Sequence, residues 1–232
     1  DSKELFKGLA VSEHADFCAE WMNQYPVIFV SLKGAEGLTF QSAYNRFKSL
    51  IAEMCKDYFP YLDKDDRLES EDKDIFQRLK ANTATDEDIS SSFVAISRML
   101  RAVHGKDPVI LIDEYDVPLA KARENGYYRE MLDFIRGFLG NTLKTNTNLK
   151  KAVLTGCLRI SKESIFTGVN NFASYSVLDD EFSQYFGFTH DEVTAMLRAV
   201  DREAQSNVLK EWYDGYLFGD TPVYCPWDVV QY

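Results

Sequence analysis

Short apolar runs alternate along this chain with longer segments in which apolar residues recur at helical spacing. Three runs predict strands: residues 26–32 (PVIFVSL), residues 108–113 (PVILID) and residues 151–156 (KAVLTG). The first two are almost continuously apolar and rich in β-branched residues, as is typical of parallel strands covered on both faces. The pattern therefore predicts a buried sheet whose strands are joined by helices.

The helices are predicted from apolar spacing together with start and stop signals. One begins at Thr39. A second begins at Thr85, where TDED resembles a capping box, and ends at Gly105. Another helical stretch lies near residues 126–139, and Thr189 with Glu192 forms the capping box of a later helix.

Strands and helices in this order predict an α/β fold with a three-layer, mainly parallel core. We place that core at residues 1–188 and a helical lid, or the start of a second subdomain, at residues 189–232. The charged segment at residues 61–74 is predicted to be an exposed, solvated connection.

Composition and charge narrow the classes of protein to consider. The 232 residues are 45% hydrophobic with a formal net charge of -11, which opposes a nonspecific binder of nucleic-acid backbones, although a local basic patch can still exist. No apolar run approaches the roughly 20 residues of a membrane span. The four cysteines form no C-x-x-C pair, and the three histidines are too scattered for a metal site. A reducing, cytoplasmic location is therefore expected.

Two adjacent acids follow the second strand directly. Asp113 and Glu114 come after four apolar residues, where parallel α/β sheets place their ligands. Asp113 at a strand end can hold Mg²⁺ through water, and Glu114 can orient or deprotonate an attacking water. The alternative is a strand that simply ends at the surface, where acids are common.

The third strand ends on a second set of polar residues. Thr155 should lie at the same edge of the sheet, within reach of an attacking water or a γ-phosphate, and Arg159 supplies a cation for developing charge. The alternative makes Gly156 a turn residue and places Arg159 in a surface ion pair. A phosphate-binding loop, G-x-x-x-x-G-K-[ST], does not occur in the sequence, although magnesium-dependent nucleotide chemistry would require one.

Four longer segments carry a family resemblance: VILIDEYDVPL, VLTGCLRISKESIFTGVNNF, FGFTHDEV and WYDGYLFGDTPVYCPWDVV. Together they resemble the bacterial AAA-ATPase-like proteins, relatives of the archaeal ATPases in the P-loop NTPase superfamily. The resemblance covers almost the whole chain. In that family a first strand and the phosphate loop precede the region similar to this chain, and a nuclease-like domain commonly follows it.

The resemblance implies a site and its cofactors. Asp113 matches the magnesium-binding acid, Glu114 the water-activating acid, and Thr155 with Arg159 the sensor region. The segment WYDGY matches the lid, where Trp212, Tyr213 and Tyr216 are candidates for contact with the adenine of ATP; packing within the lid is the alternative. Tyr224, Pro226 and Trp227 are expected to pack inside the lid.

The sequence thus predicts the core of a domain that binds and hydrolyses Mg-ATP as a conformational switch, with the phosphate loop upstream of Asp1. The alternative is an ATPase-derived scaffold without catalysis, which binds other proteins. An unidentified protein partner or a homo-oligomer fits either function. A nucleic-acid enzyme acting through this segment is disfavoured by the acidic charge.

Overall fold

A computed structural model describes residues 2–157 and 172–232. The chain divides into two compact units, residues 1–170 and residues 171–232, and each is described by itself. The division predicted between residues 188 and 189 falls inside the second unit.

The first unit alternates strands and helices as the apolar pattern predicts. Its strands and α-helices, in chain order, are α1 (Ala15–Trp21), β1 (Val27–Ser31), α2 (Phe40–Tyr58), α3 (Ser70–Lys80), α4 (Asp86–Ser90), α5 (Ser92–His104), β2 (Val109–Asp113), α6 (Val117–Asn125), α7 (Tyr128–Gly140) and β3 (Lys151–Leu154).

The three strands of the first unit form one parallel sheet in the order β1-β2-β3. Val27 pairs with Val109, which pairs with Lys151, so the three amino ends lie at one edge of the sheet and the three carboxyl ends at the other. The α/β class and the parallel sheet are as predicted.

Helices bury one face of this sheet. Ile28 and Val30 of β1 and Ile110 and Ile112 of β2 are at most 4% exposed. Behind them, aromatic rings from three helices meet edge to face. The ring of Phe138 lies 5.0 Å from both Phe47 and Phe93, in the range where such pairs add stability beyond area burial.

The opposite face of the sheet is open at several positions. Val27 is 44% exposed, Phe29 40% and Val153 42%. A second covering layer is not seen among the described residues, so the three-layer part of the prediction is not confirmed. The sequence predicted a third layer because a continuously apolar strand indicates that both faces of the sheet are shielded from water. The same pattern does not indicate which segment of the chain covers each face.

The charged segment at residues 61–74 differs from the prediction of a solvated connection. Helix α3 begins inside it, and Leu62 and Leu68 are buried. Asp72 on α3 is also buried and accepts hydrogen bonds from the guanidinium of Arg98 on α5. The segment contributes to the helical layer because Leu62 and Leu68 are buried and the charge of Asp72 is neutralised by Arg98 of a neighbouring helix.

The second unit contains a β-hairpin as well as helices. Its elements are α8 (His190–Ala199), α9 (Ser206–Tyr213), β4 (Asp214–Phe218), β5 (Thr221–Tyr224) and α10 (Pro226–Gln231). Strands β4 and β5 pair antiparallel around Gly219, which has a φ of +51°. The hairpin was not predicted for residues 189–232, and the missed signal was Gly-Asp between two short runs rich in β-formers.

The predicted capping boxes are confirmed at two helices. Thr85 accepts a hydrogen bond from the backbone N–H of Asp88 at the start of α4, and Thr189 accepts one from that of Glu192 at the start of α8. No helix in the described part of the chain is long and apolar enough to span a membrane.

Candidate functional site

The predicted site lies at the carboxyl edge of the sheet in the first unit. Asp113 is the last residue of β2, and Thr155 directly follows β3 on the adjacent parallel strand. The Thr155 hydroxyl donates a hydrogen bond of 2.5 Å to Oδ1 of Asp113. Two residues 42 positions apart are thus in contact, because two strands of equal register end at one edge.

The backbone after Asp113 turns sharply. Glu114 has a φ of +53°, in the left-handed region that residues with a side chain rarely adopt. Its N–H donates to Oδ1 of Asp113 at 3.0 Å, and the N–H of Tyr115 donates to the carbonyl of Thr155 at 3.1 Å. These bonds hold a conformation that costs of order 1 kcal/mol, and such strain clusters at functional sites.

A third acid, Asp116, was missed by the sequence analysis. It precedes α6 and is 3% exposed, unusually buried for a carboxylate. It lies against Gly156: a Cβ added to that glycine would sit 2.4 Å from Oδ1 of Asp116. The signal available in the sequence was the spacing D-E-x-D, which puts a second aspartate three residues beyond the strand end.

Asp113 and Glu114 lack cationic partners among the described residues. There, no lysine or arginine nitrogen lies within 4.0 Å of the carboxylate of Asp113 or Glu114. In residues 2–157 and 172–232, the groups that donate hydrogen bonds to Asp113 are neutral: a hydroxyl and a backbone N–H. Asp113 and Glu114 therefore place negative charge at this edge, which can attract a bound cation.

The donors suit Mg²⁺ only when a ligand adds further oxygens. In residues 2–157 and 172–232 no group of three or more His, Cys, Asp or Glu side chains could hold a metal ion. Mg²⁺ keeps several waters and binds through one or two carboxylates together with phosphate oxygens. A single carboxylate that is oriented by a hydroxyl fits this mode of binding. It provides too few ligands for a site in which protein groups alone coordinate the ion.

The other predicted site residues lie outside the described part of the first unit. Arg159 lies outside the described residues. Trp212 and Tyr213 end α9 in the second unit, and Tyr216 lies on β4. The side chains of Trp212 and Tyr216 are 76% and 54% exposed, so packing within the lid does not account for them.

The neighbouring aromatic residues of the second unit differ in burial. Tyr224 is 1% exposed and packs in a small core with Val193, Leu197 and Leu209, as expected. Trp227 is 71% exposed, so the prediction that it packs inside the lid was wrong. A tryptophan in an aromatic-rich segment carries no signal of which side of its helix faces the core.

Comparison with known proteins supports the resemblance. The family model described as Predicted AAA-ATPase matches residues 1–166. A curated relative from Azotobacter chroococcum mcd 1, named "uncharacterized protein in vnfD 5′ region", is 26% identical over 234 residues. The alignment covers 99% of this chain and 39% of the relative, so the chain spans about two fifths of that protein. No solved structure matches. Since the family model covers well over half of the sequence, the chain belongs to the predicted AAA-ATPase family.

Proposed function

We propose that the carboxyl edge of the sheet is the acid-bearing part of a site that hydrolyses Mg-ATP. The observation that carries the proposal is the contact of Thr155 with Asp113, an acid without a cationic partner in the described residues, beside the strained Glu114. Membership of the family supports nucleotide binding in general terms; the division of labour among these residues is our inference.

Asp113 would hold Mg²⁺, directly or through water, together with phosphate oxygens of the nucleotide. The metal, when bound, supplies positive charge that stabilises the transferring phosphoryl group. Thr155 fixes the orientation of the Asp113 carboxylate by donating to Oδ1, which leaves the other oxygen, Oδ2, to face the cation. Oriented oxygen ligands reduce the reorganisation needed during reaction.

Glu114 would act on the attacking water. Its left-handed backbone points the chain away from the line of β2, so the two acids do not follow the alternation of a strand. The carboxylate accepts a hydrogen bond from the water and then its proton, a role that typically contributes about 10²–10⁴-fold in rate.

The remaining roles follow from the resemblance. Arg159 would stabilise developing phosphate charge, and Trp212, Tyr213 and Tyr216 would contact the adenine. A phosphate loop and its strand elsewhere in the intact protein would complete a three-layer, P-loop NTPase-like core. Hydrolysis would then serve as a conformational switch, coupled to a nuclease-like domain where one follows. A cytoplasmic location fits the four free cysteines.

The test is Glu114→Gln in the full-length protein. We expect turnover to fall by about 10²–10⁴-fold while ATP affinity is kept, because the amide preserves shape but cannot accept the proton. Glu124→Gln, an exposed acid on α6 that pairs with Lys121, is the matched control and should leave turnover unchanged. Equal turnover in wild type and Glu114→Gln would remove Glu114 from the mechanism.

A protein-binding scaffold without catalysis is the second candidate, favoured by the open sheet face. Val27, Phe29 and Val153 expose apolar surface that a partner could cover. The same assay separates the two functions, since a scaffold gives no ATP turnover in the wild-type full-length protein.

A further inference from the structure

The amino edge of the same sheet carries a cluster of opposite charge. Its members are Trp21 and Tyr25, which precede β1, Lys106, which precedes β2, and Lys150 and Lys151 at the start of β3. We call these five residues the lysine–aromatic cluster. Backbone hydrogen bonds hold the strand starts together: the N–H of Val109 donates to Pro26, and that of Lys150 donates to Pro108.

The ammonium groups of the cluster converge on two rings. Lys150 Nζ lies 5.5 Å from the ring centroid of Trp21 and 5.2 Å from that of Tyr25. Lys151 Nζ is 5.5 Å from Trp21, and Lys106 Nζ is 5.3 Å from Tyr25. Each contact falls within the roughly 6 Å range of cation–π attraction, but that attraction offsets only part of the repulsion among three like charges.

In the part of the chain that the structure describes, the cluster also lacks counter-charges. Within the described residues, no carboxylate oxygen lies within 4.0 Å of any of the three ammonium nitrogens. This is unusual for a chain of net charge -11, in which acids outnumber cations 37 to 26. Three convergent lysines without acids are suited to an anion brought by a ligand.

A depression beside Lys106 offers room for a planar group. It has a volume of about 400 Å³, within the size range of small-ligand sites. Its aromatic and polar lining includes Gln24, Tyr25, Phe59, Tyr61, His104 and Lys106. Tyr25 and Lys106 belong to both the depression and the lysine–aromatic cluster, so the two features form one continuous surface.

A chain of rings leads into this surface. The ring centroids of Phe17 and Trp21 are 6.4 Å apart, those of Trp21 and Tyr25 are 5.3 Å apart, and the side chain of Phe17 is 54% exposed. Aromatic rings interleaved with lysines are the combination with which proteins bind unpaired bases and their phosphates.

We propose that the lysine–aromatic cluster and its depression bind a nucleoside phosphate, with the base against the rings and the phosphate on the lysines. The source is a free nucleotide or a short single-stranded nucleic acid, since both present this chemistry. The net negative charge of the chain disfavours long polymers but acts weakly on a short one at physiological salt. The site lies at the sheet edge opposite to Asp113 and does not depend on ATP hydrolysis.

The experiment titrates the protein, in EDTA to silence any magnesium-dependent site, with thymidine monophosphate and separately with a ten-nucleotide oligothymidylate. Binding is followed by calorimetry and by tryptophan emission. Oligonucleotide binding that greatly exceeds monophosphate binding identifies a strand as the source, whereas comparable binding identifies a free nucleotide. For three lysine–phosphate contacts the logarithm of the oligonucleotide affinity should fall with that of the salt concentration with a slope of about -2.

Matched variants locate the binding. Lys150→Glu with Lys151→Glu should weaken it by at least about tenfold, whereas Lys144→Glu with Lys210→Glu, at exposed positions elsewhere, should change it by less than about twofold. Lys150→Arg with Lys151→Arg keeps both charges and should retain binding, so a loss in the charge-reversed variant cannot be attributed to substitution at these positions alone. Asp113→Asn, at the opposite edge of the sheet, should also retain binding. The proposal is overturned if neither probe binds, if both charge reversals weaken binding equally, or if decaglutamate binds as tightly as the oligonucleotide.

Discussion

Acids of the helical layer and acids of the sheet edge have different partners. In the helical layer Asp88 accepts two hydrogen bonds of 2.8 Å from the guanidinium of Arg78, and Asp72 accepts from Arg98. At the carboxyl edge of the sheet Asp113 accepts from the Thr155 hydroxyl and from a backbone N–H. Asp113 is hydrogen-bonded like Asp88 and Asp72, but in the part of the chain that the structure describes only the two helical acids are paired with a protein cation.

We infer that this difference in partners reflects a structural role for the helical acids and a chemical role for the edge acid. A buried carboxylate is costly unless it is paired, so an acid whose task is to join two helices is given an arginine. An acid that must receive a metal or a proton cannot be neutralised in advance. The amino edge shows the same feature with the opposite charge, because its lysines lack acidic partners among the described residues. Variants of each kind of acid test whether partner type separates the roles.

The largest expected effect is on turnover when the edge acid is neutralised. Asp113→Asn in the full-length protein should lower ATP hydrolysis by about 10³-fold, because a metal's stabilisation of phosphoryl charge amounts to several kcal/mol. The asparagine can still accept from Thr155, so the free energy of unfolding should change by less than about 1 kcal/mol. Turnover and urea unfolding measured together check this, and a large loss of stability with normal turnover would reverse the assigned role.

The helical acid should show the opposite pattern. Hydrogen bonding from Arg78 lowers the pKa of Asp88 from its ordinary 3.8 to about 2. A lowered folded-state pKa gives stability that is complete above about pH 4 and is lost as the pH falls toward 2. Asp88→Asn should therefore cost roughly 2 kcal/mol at pH 7 and much less near pH 2.

Urea unfolding at several pH values measures the effect at Asp88. Asp133→Asn is the control, because its carboxylate is 75% exposed in its pair with Arg136. It should change stability by less than about 0.5 kcal/mol at any pH. Equal losses of stability in the two variants would show that burial of the acid does not determine how much its ion pair stabilises the protein.

The next effect is on stability and comes from close packing at the carboxyl edge of the sheet. Gly156→Ala would place a Cβ 2.4 Å from the buried carboxylate of Asp116 and 2.9 Å from the ring of Tyr115. We expect a loss of about 1–3 kcal/mol from overpacking. Gly137→Ala on α7 meets no atom within 4 Å and should instead stabilise the protein by about 0.5–1 kcal/mol through helix propensity. Thermal unfolding of both variants tests whether the chain around Gly156 is tightly packed. A Gly156→Ala variant more stable than wild type would contradict the close approach of Gly156 to Asp116.

The contrast between the two edges of the sheet also shows what the sequence reveals. Asp113 and Thr155 each follow an apolar run directly, and parallel strands of equal register bring such ends together, so their contact could be predicted. The lysine–aromatic cluster could not, because Trp21, Lys106 and Lys150 are far apart and each looks like an ordinary surface residue. Only the register of the three strands brings them together.

Two other features needed the structure for different reasons. Helix α3 is rich in charge, and its burial depends on pairs such as Asp72 with Arg98, 26 positions away. The strain at Glu114 has no local sequence signal, because glutamate has no preference for the left-handed region. Apolar periodicity therefore located the layers, while the ion pairs and the strained turn depended on tertiary contacts.

The smallest expected effect separates strain from chemistry at Glu114. Glycine adopts a φ of +53° without steric cost, so Glu114→Gly should raise the free energy of unfolding by about 0.5–1 kcal/mol, whereas Glu114→Ala should leave it nearly unchanged. Both variants should lose hydrolysis to the same extent, since neither keeps the carboxylate. Asn82→Gly is the control at a φ of +59°, where asparagine is already tolerated and the gain should be a few tenths of a kcal/mol at most. Urea unfolding resolves these differences when the variants are measured side by side. A Glu114→Gly variant no more stable than Glu114→Ala would mean that the turn is relaxed, and the edge acid would then differ from the helical acids in its partners alone.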